Sequence, residues 1–115
     1  MNTTPDLTKT PPRSGRDLLG GYAWLARLSD KVRAEHAGKQ GEYVAYCPLS
    51  MGFLERTGIS PNAFDLLISQ DIGDEALVDY FDRHVSSPQR AAANRYVLEE
   101  QREHLDEQDA EEGRR

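Results

Sequence analysis

The sequence predicts an all-α protein, an irregular bundle of about five helices with an extended, Pro-rich N-terminal arm and an acidic C-terminal tail. Three observations support this class. Apolar residues recur at spacings of three and four, which is typical of helix faces. Serine, proline and glycine signals divide the chain into short helices. Only residues 42–46 have strand-like composition, and an isolated strand has no partner to pair with.

The 115 residues fit one domain with an arm and a tail. The arm covers residues 1–16 and holds three of the six prolines, which lack an amide donor and push the preceding residue to extended backbone. We expect it to pack on a helical domain formed by residues 17–105. Residues 106–115 are expected to form a mobile acidic tail, because this end is rich in acids and poor in apolar residues.

The first helix is predicted over residues 17–35, where apolar and small side chains recur on one face. The Gly20-Gly21 pair lies inside this range. Glycine costs about 1 kcal/mol in a helix interior, so the pair marks either the true helix start or a close packing contact. The residues of the predicted face are Leu18, Tyr22, Leu25, Ser29 and Val32.

Four further helices are predicted from capping signals. A short polar side chain before a helix accepts a hydrogen bond from its free amides, proline is favoured at the first helical position, and glycine often ends a helix. The last helix is expected to end near residue 105. The predicted capping residues are Ser50, Ser60, Asp74 and Ser87.

Charge is spread unevenly along the chain. Residues 1–36 carry a net charge of +2 and residues 37–115 carry −8. An acidic surface repels phosphate backbones and anionic membranes, which disfavours DNA, RNA and membrane partners. Residues 53–85 suggest a DNA-binding helix-turn-helix. Residues 61–85 hold six acids and one base, however, so DNA phosphates would repel this segment and DNA binding is disfavoured.

The location is expected to be cytoplasmic. No apolar run approaches the roughly 20 residues that span a bilayer, and the N-terminus lacks a secretory pattern. Cys47 is the only cysteine, so an intrachain disulfide is excluded and a reducing compartment is favoured.

The sequence contains no recognisable catalytic or metal-binding motif. The three histidines are not at zinc-ligand spacing from each other or from Cys47, so neither a metal nor a cofactor is expected. Nucleophilic catalysis needs an oriented base beside the nucleophile. The sequence indicates none for Cys47, which we interpret as a small buried thiol, with a reactive nucleophile as the alternative.

One cluster of basic residues could bind an anion. Arginines in the arm precede the predicted first helix, whose free amides would favour negative charge. Further charged residues lie together on that helix, either as a solvated face or as a basic patch beside the arm. Tyr43 would add aromatic surface. The candidate ligand residues are Arg13, Arg16, Arg27, Asp30, Lys31 and Tyr43.

Several strings resemble an uncharacterised family of small bacterial proteins, classed only as a domain of unknown function. They include residues 6–16 (DLTKTPPRSGR), residues 19–22 (LGGY), residues 24–27 (WLAR) and residues 41–43 (GEY). The resemblance implies a helical, bacterial, cytosolic protein with the arm as part of the domain. It implies no activity. The family pattern has an aspartate where this chain has Ser50, and serine caps a helix about as well.

The sequence leaves three functions open and does not indicate the oligomeric state. A non-enzymatic binding or interaction module with a protein partner ranks first. A binder of small anions at the basic cluster is the alternative. An enzyme ranks last, because no catalytic constellation is recognisable in the sequence.

Overall fold

The computed structural model describes residues 4–114 and confirms the all-α class. Residues 1–3 of the predicted arm and residue 115 of the predicted tail lie outside the described range. Within that range there is no strand, and no helix is long and apolar enough to cross a membrane. The helices are α1 (Leu25–His36), α2 (Pro48–Thr57), α3 (Pro61–Ser69), α4 (Asp74–His84), α5 (Ser87–Arg95) and α6 (Arg102–Glu111), with a π-helical turn at Tyr96–Glu100.

Helix α1 begins eight residues later than predicted, so the proposed start near residue 17 is wrong. Gly20, Gly21 and Trp24 all have positive φ, of 60°, 87° and 75°, which interrupts helical geometry. The backbone amide of Trp24 instead donates to the carbonyl of Gly15, at 2.9 Å. Leu18, placed on the apolar face by the sequence pattern, is 60% exposed.

Proline and serine signals set most of the other helix starts. Ser60 caps α3 as predicted, its side chain accepting from the amide of Ala63. Ser86 caps α5, one residue before the predicted Ser87, and forms a reciprocal capping box with Gln89. The N-cap of α4 is Gly73, so Asp74 is its first residue and its carboxylate is free for other bonds.

The core centres on aromatic side chains contributed by three helices and by the segment before α1. Phe81 of α4 packs edge-on against Tyr22 at 5.3 Å and against Phe64 at 6.1 Å, and stacks with Phe53 at 6.2 Å. These four side chains are almost completely buried. Aromatic pairs of this geometry contribute about 1 kcal/mol each beyond the area they bury. The core therefore joins the segment before α1 to α2, α3 and α4.

The last predicted helix is longer than expected and contains a π-helical turn. The π-helical turn follows α5 directly, and Gln101, with a φ of −105° and a ψ of 23°, separates it from α6. The amide of Gln101 donates to the carbonyl of Tyr96 at 2.9 Å. Leu105 of α6 is fully buried.

The acidic end of the chain folds back onto the arm and α1, although it was expected to be solvated. Asp109 is only 7% exposed, and the side chain of Glu112 is 8% exposed. Asp109 accepts a hydrogen bond from Ser14 at 2.8 Å. This end has few apolar side chains to bury, and ion pairs from Asp109 to Arg16 and from Glu112 to Arg27 hold it in place. The division into arm, domain and mobile tail stays a prediction.

Candidate functional site

A cavity of about 610 Å³ lies between α1, the connector before α2 and the end of α6. Drug-sized ligands occupy pockets of roughly 300–1,000 Å³, so this volume suits a small molecule. We call it the Lys31–Cys47 cavity. The residues that matter for its chemistry are Arg27, Lys31, Glu42, Tyr43, Cys47 and Glu112.

Lys31 is the buried cation of this cavity, which overturns the solvated-face interpretation of the α1 charges. The residue is 4% exposed, and Arg27 on the same helix is 2% exposed. The Lys31 ammonium lies 5.2 Å from the centre of the Trp24 ring, in a cation–π contact. Its nitrogen donates a hydrogen bond to the sulfur of Cys47 at 3.6 Å.

No carboxylate within residues 4–114 lies at ion-pair distance from the Lys31 ammonium. Burial is the main cause that lowers the pKa of Lys31 below its usual 10.5, and the neighbouring Arg27 charge lowers it further. Cys47 and Glu112 act in the opposite direction. Lys31 is therefore a desolvated cation whose hydrogen-bond acceptor among residues 4–114 is the sulfur of Cys47.

Cys47 occupies the N-cap of α2, and Pro48 is the first helical residue. Its sulfur lies 3.5 Å from the hydroxyl of Ser50, which also accepts a hydrogen bond from the indole of Trp24 at 3.0 Å. Ser50 is completely buried inside α2, so the prediction that it caps this helix is wrong. The thiol itself is partly exposed to the cavity, in contrast to the small buried thiol that we expected.

The surroundings of Cys47 favour the thiolate. Burial raises the pKa of the thiol, but the Lys31 ammonium, the Ser50 hydroxyl and the amides of Leu49 and Ser50 together lower it below the usual 9.0. A helix N-terminus and a nearby cation are both known to lower the pKa of cysteine in proteins.

Arg27 and Glu112 close one wall of the cavity. The two guanidinium nitrogens of Arg27 bind the two oxygens of Glu112 at 2.9 and 2.7 Å, and the phenol of Tyr43 donates to the same carboxylate at 3.1 Å. Burial raises the pKa of Glu112. The bonds from Arg27 and Tyr43 lower that pKa by more than burial raises it, so the net shift is downward from 4.5. Arg27 Nε is buried and has no hydrogen-bond partner in the part of the chain that the structure describes.

The arm arginines do not line the cavity with Lys31. Arg13 binds Asp30 at 2.9 Å and Asp74 at 2.9 Å, so Asp30 is its partner on α1. Arg16 binds Asp106 at 2.6 Å and Asp109 at 2.8 Å. Both guanidinium groups are therefore neutralised by carboxylates. Of the six candidate ligand residues, the structure brings only Arg27, Lys31 and Tyr43 to the cavity wall.

Sequence reasoning missed Glu112 and gave too little weight to Cys47. Glu112 is 85 residues from Arg27, so no local pattern indicates their contact. A signal for Cys47 was present, because Pro48 is typical of a first helical position and places Cys47 at the N-cap. Within residues 4–114, no three His, Cys, Asp or Glu side chains are grouped to hold a metal ion.

Together, the fold and the cavity define a small all-α domain with a buried lysine–thiol contact. The chain belongs to the family described as Domain of unknown function (DUF5069), whose model matches residues 9–114. This agrees with the resemblance found in the sequence. No curated protein matches the chain at a significant level.

Proposed function

We propose that this protein binds a small monoanionic or zwitterionic molecule in the Lys31–Cys47 cavity, with the Lys31 ammonium as the anchor. The observation that carries the proposal is the burial of Lys31 without a carboxylate partner in residues 4–114. A buried cation costs free energy unless it is paired. The ammonium has three N–H donors and bonds the Cys47 sulfur with one of them, so an incoming carboxylate or phosphate oxygen would accept a hydrogen bond from another.

The other charges around the cavity favour a ligand of low net charge. Glu42 and Glu111 are exposed on its rim, and Glu112 is already paired with Arg27. Two rim carboxylates repel polyanions and attract a donor or a cationic group. We therefore expect monocarboxylates, inorganic phosphate or amino acids to bind in preference to pyrophosphate or nucleotides.

The remaining basic residues have a structural role in this proposal. Each guanidinium of Arg13 and Arg16 is bonded to two carboxylates, which leaves little positive charge for a ligand. Asp30 neutralises Arg13. Tyr43 and Arg27 would contribute aromatic surface and the unpaired Arg27 Nε to the ligand site.

Thermal unfolding with acetate, glycine, inorganic phosphate and pyrophosphate, each at matched ionic strength, tests the proposal. A ligand that binds only the folded state raises the Tm with its concentration. We expect this shift in the wild type and in Lys39→Met, a control at an exposed lysine. The shift should vanish in Lys31→Met. Equal shifts in Lys31→Met and Lys39→Met, or none in the wild type, would contradict the proposal.

The bacterial cytoplasm remains the proposed location, supported by the family resemblance and the single cysteine. The interaction module that ranked first from the sequence stays a prediction. Four large apolar side chains are exposed among the described residues, namely Leu18, Val44, Met51 and Leu66, and they belong to four different segments.

A further inference from the structure

We infer that Cys47 is a nucleophilic thiolate that forms a mixed disulfide with a small disulfide molecule entering the Lys31–Cys47 cavity. This reaction goes beyond anion binding and takes place in the same cavity. The inference depends on three features: the position of the sulfur, the buried cation beside it, and the space in front of it.

The position of the sulfur is set by α2. Cys47 is the N-cap of a ten-residue helix, and its sulfur lies near the amides of Leu49 and Ser50 in the first turn without accepting a capping hydrogen bond from them. These amides carry a partial positive charge that stabilises an anion. Ser50 adds a hydroxyl at 3.5 Å, and its bond to the indole of Trp24 fixes it in the core.

The buried cation is an independent observation. Lys31 belongs to α1, is 4% exposed, and directs its ammonium at the cysteine sulfur across 3.6 Å. No oxygen atom in the part of the chain that the structure describes accepts a hydrogen bond from that ammonium. A thiolate on Cys47 would pair this charge. The charged groups that face the pair are Arg27 from α1 and Glu112 beyond α6, while Glu42 and Glu111 lie on the cavity rim.

The space in front of the sulfur selects the substrate class. A cavity of about 610 Å³ is far larger than a peroxide molecule needs, and it suits an organic disulfide. Cys47 is the only cysteine of the chain, so the product cannot be resolved by a second thiol of the same chain. The site therefore requires an external thiol to complete a cycle.

The reaction balances as a thiol–disulfide exchange. The Cys47 thiolate attacks one sulfur of the disulfide RSSR, the new sulfur–sulfur bond forms, and RS⁻ leaves with the electron pair of the broken bond. The leaving thiolate takes a proton from water. The thiolate of a second, external thiol, R′S⁻, then attacks the sulfur of R in the mixed disulfide; the bond to Cys47 breaks, the disulfide RSSR′ leaves, and Cys47 regains its thiolate with the electron pair of that bond.

Stopped-flow reaction with 4,4′-dithiodipyridine tests the inference, because this disulfide is neutral near pH 7 and its release product is coloured. We expect the folded wild type to react at least about tenfold faster at pH 7 than the same chain in denaturant, with one adduct per chain by mass spectrometry. Lys31→Met should slow the reaction about tenfold and move the midpoint of its pH profile upward. Lys31→Arg should restore much of the rate, and Lys39→Met should behave as the wild type.

Three results would each overturn the inference. The first is a folded wild type that reacts no faster than the denatured chain. The second is a Lys31→Met variant with an unchanged pH profile. The third is faster oxidation by hydrogen peroxide than by the disulfide, measured by trapping the sulfenic acid with dimedone. Anion binding is tested separately in Cys47→Ser. A Tm shift retained there with no thiol reactivity in the wild type contradicts this inference alone, and the reverse result contradicts the proposed function alone.

Discussion

The Arg27 guanidinium and the Glu112 carboxylate form a two-point ion pair in which both side chains are less than a tenth exposed, at 3% and 8%. The pair joins the first turn of α1 to the residue just after α6. Arg27 also donates to the backbone carbonyl of Arg13 at 3.2 Å, which ties the arm into the same contact. Three distant segments of the chain therefore depend on one buried guanidinium.

Glu112→Gln should lower the free energy of unfolding by about 3 kcal/mol. The substitution leaves the Arg27 charge buried with no carboxylate, and breaking one side of a buried pair typically costs this much. Urea unfolding at pH 7 measures the change. Glu111→Gln is the matched control, because Glu111 is the chain neighbour of Glu112 and its side chain is exposed. It should change the free energy of unfolding by no more than about 0.5 kcal/mol. The double variant Arg27→Met/Glu112→Met should lose less than Glu112→Gln. A larger loss in the double variant would show that the pair is not the source of the effect.

In the Cys47→Ser background, where no thiolate can pair with Lys31, Lys31→Met should raise the free energy of unfolding by about 1 kcal/mol at pH 7, because it removes a desolvated charge and keeps a side chain of similar length. Lys39→Met, at an exposed position, should change it little. The folded state lowers the pKa of Lys31 below 10.5, so the Cys47→Ser chain bears the full cost below the folded pKa. That cost disappears as the pH rises toward 10.5. The advantage of Lys31→Met should therefore shrink with rising pH, and an advantage that grows instead would contradict this origin.

Asp74→Asn should destabilise the protein by about 1 kcal/mol at neutral pH, a value suited to a partly exposed ion-pair network. Asp74 accepts bonds from Arg13 and Arg33, both at 2.9 Å. Burial raises the pKa of its carboxyl, but these two arginines lower it below 3.8 overall. Its contribution is thus complete above about pH 3.8 and is lost as the pH falls through the lower folded pKa.

Acid unfolding of the two proteins measures this contribution. The stability difference between wild type and Asp74→Asn should be constant from neutral pH to about pH 4 and should close below pH 3.8. Glu75→Gln, at the exposed neighbouring position in α4, is the control and should follow the wild type throughout. A difference that persists at the lowest pH would assign the effect to packing instead of charge.

Gly20→Ala should destabilise the protein by about 2 kcal/mol or more. Gly20 has a φ of +60°, and an added Cβ would lie 2.7 Å from one methyl carbon of Val78 on α4. Strained backbone and a steric clash both oppose the substitution. Gly38→Ala provides the comparison, because Gly38 has a φ of +69° and open space around it. Thermal unfolding should show the smaller loss for Gly38→Ala, and equal losses would exclude the contact with Val78 as a cause.

Local signals were enough to predict most helices. Ser60 caps α3 as expected, because capping depends only on neighbouring residues. The first helix was misplaced because the left-handed backbone of Trp24 is imposed by tertiary contacts, including the bond to Gly15. A bulky residue with positive φ is uncommon, and the spacing of apolar residues carries no sign of it.

The candidate site was predicted only in part, for a related physical reason. The spacing of Arg27 and Lys31 along α1 indicates that they lie close together on the helix. Whether they are solvated depends on Glu112 and Cys47, which are distant in sequence. The composition of the acidic end suggested solvation because a pairing between remote charges leaves no periodic pattern.

The rod that closes the cavity consists of two α-helices, α5 and α6, joined by the π-helical turn at Tyr96–Glu100 and by Gln101, whose φ of −105° and ψ of 23° lie outside helical geometry. A π turn amounts to one extra residue, and each residue of an α-helix rotates the chain by about 100°. Deleting one residue there would turn the rest of the rod by roughly that angle. Leu105, Asp109 and Glu112 would then face away from the arm and α1. A single inserted residue thus decides which side of the rod closes the cavity.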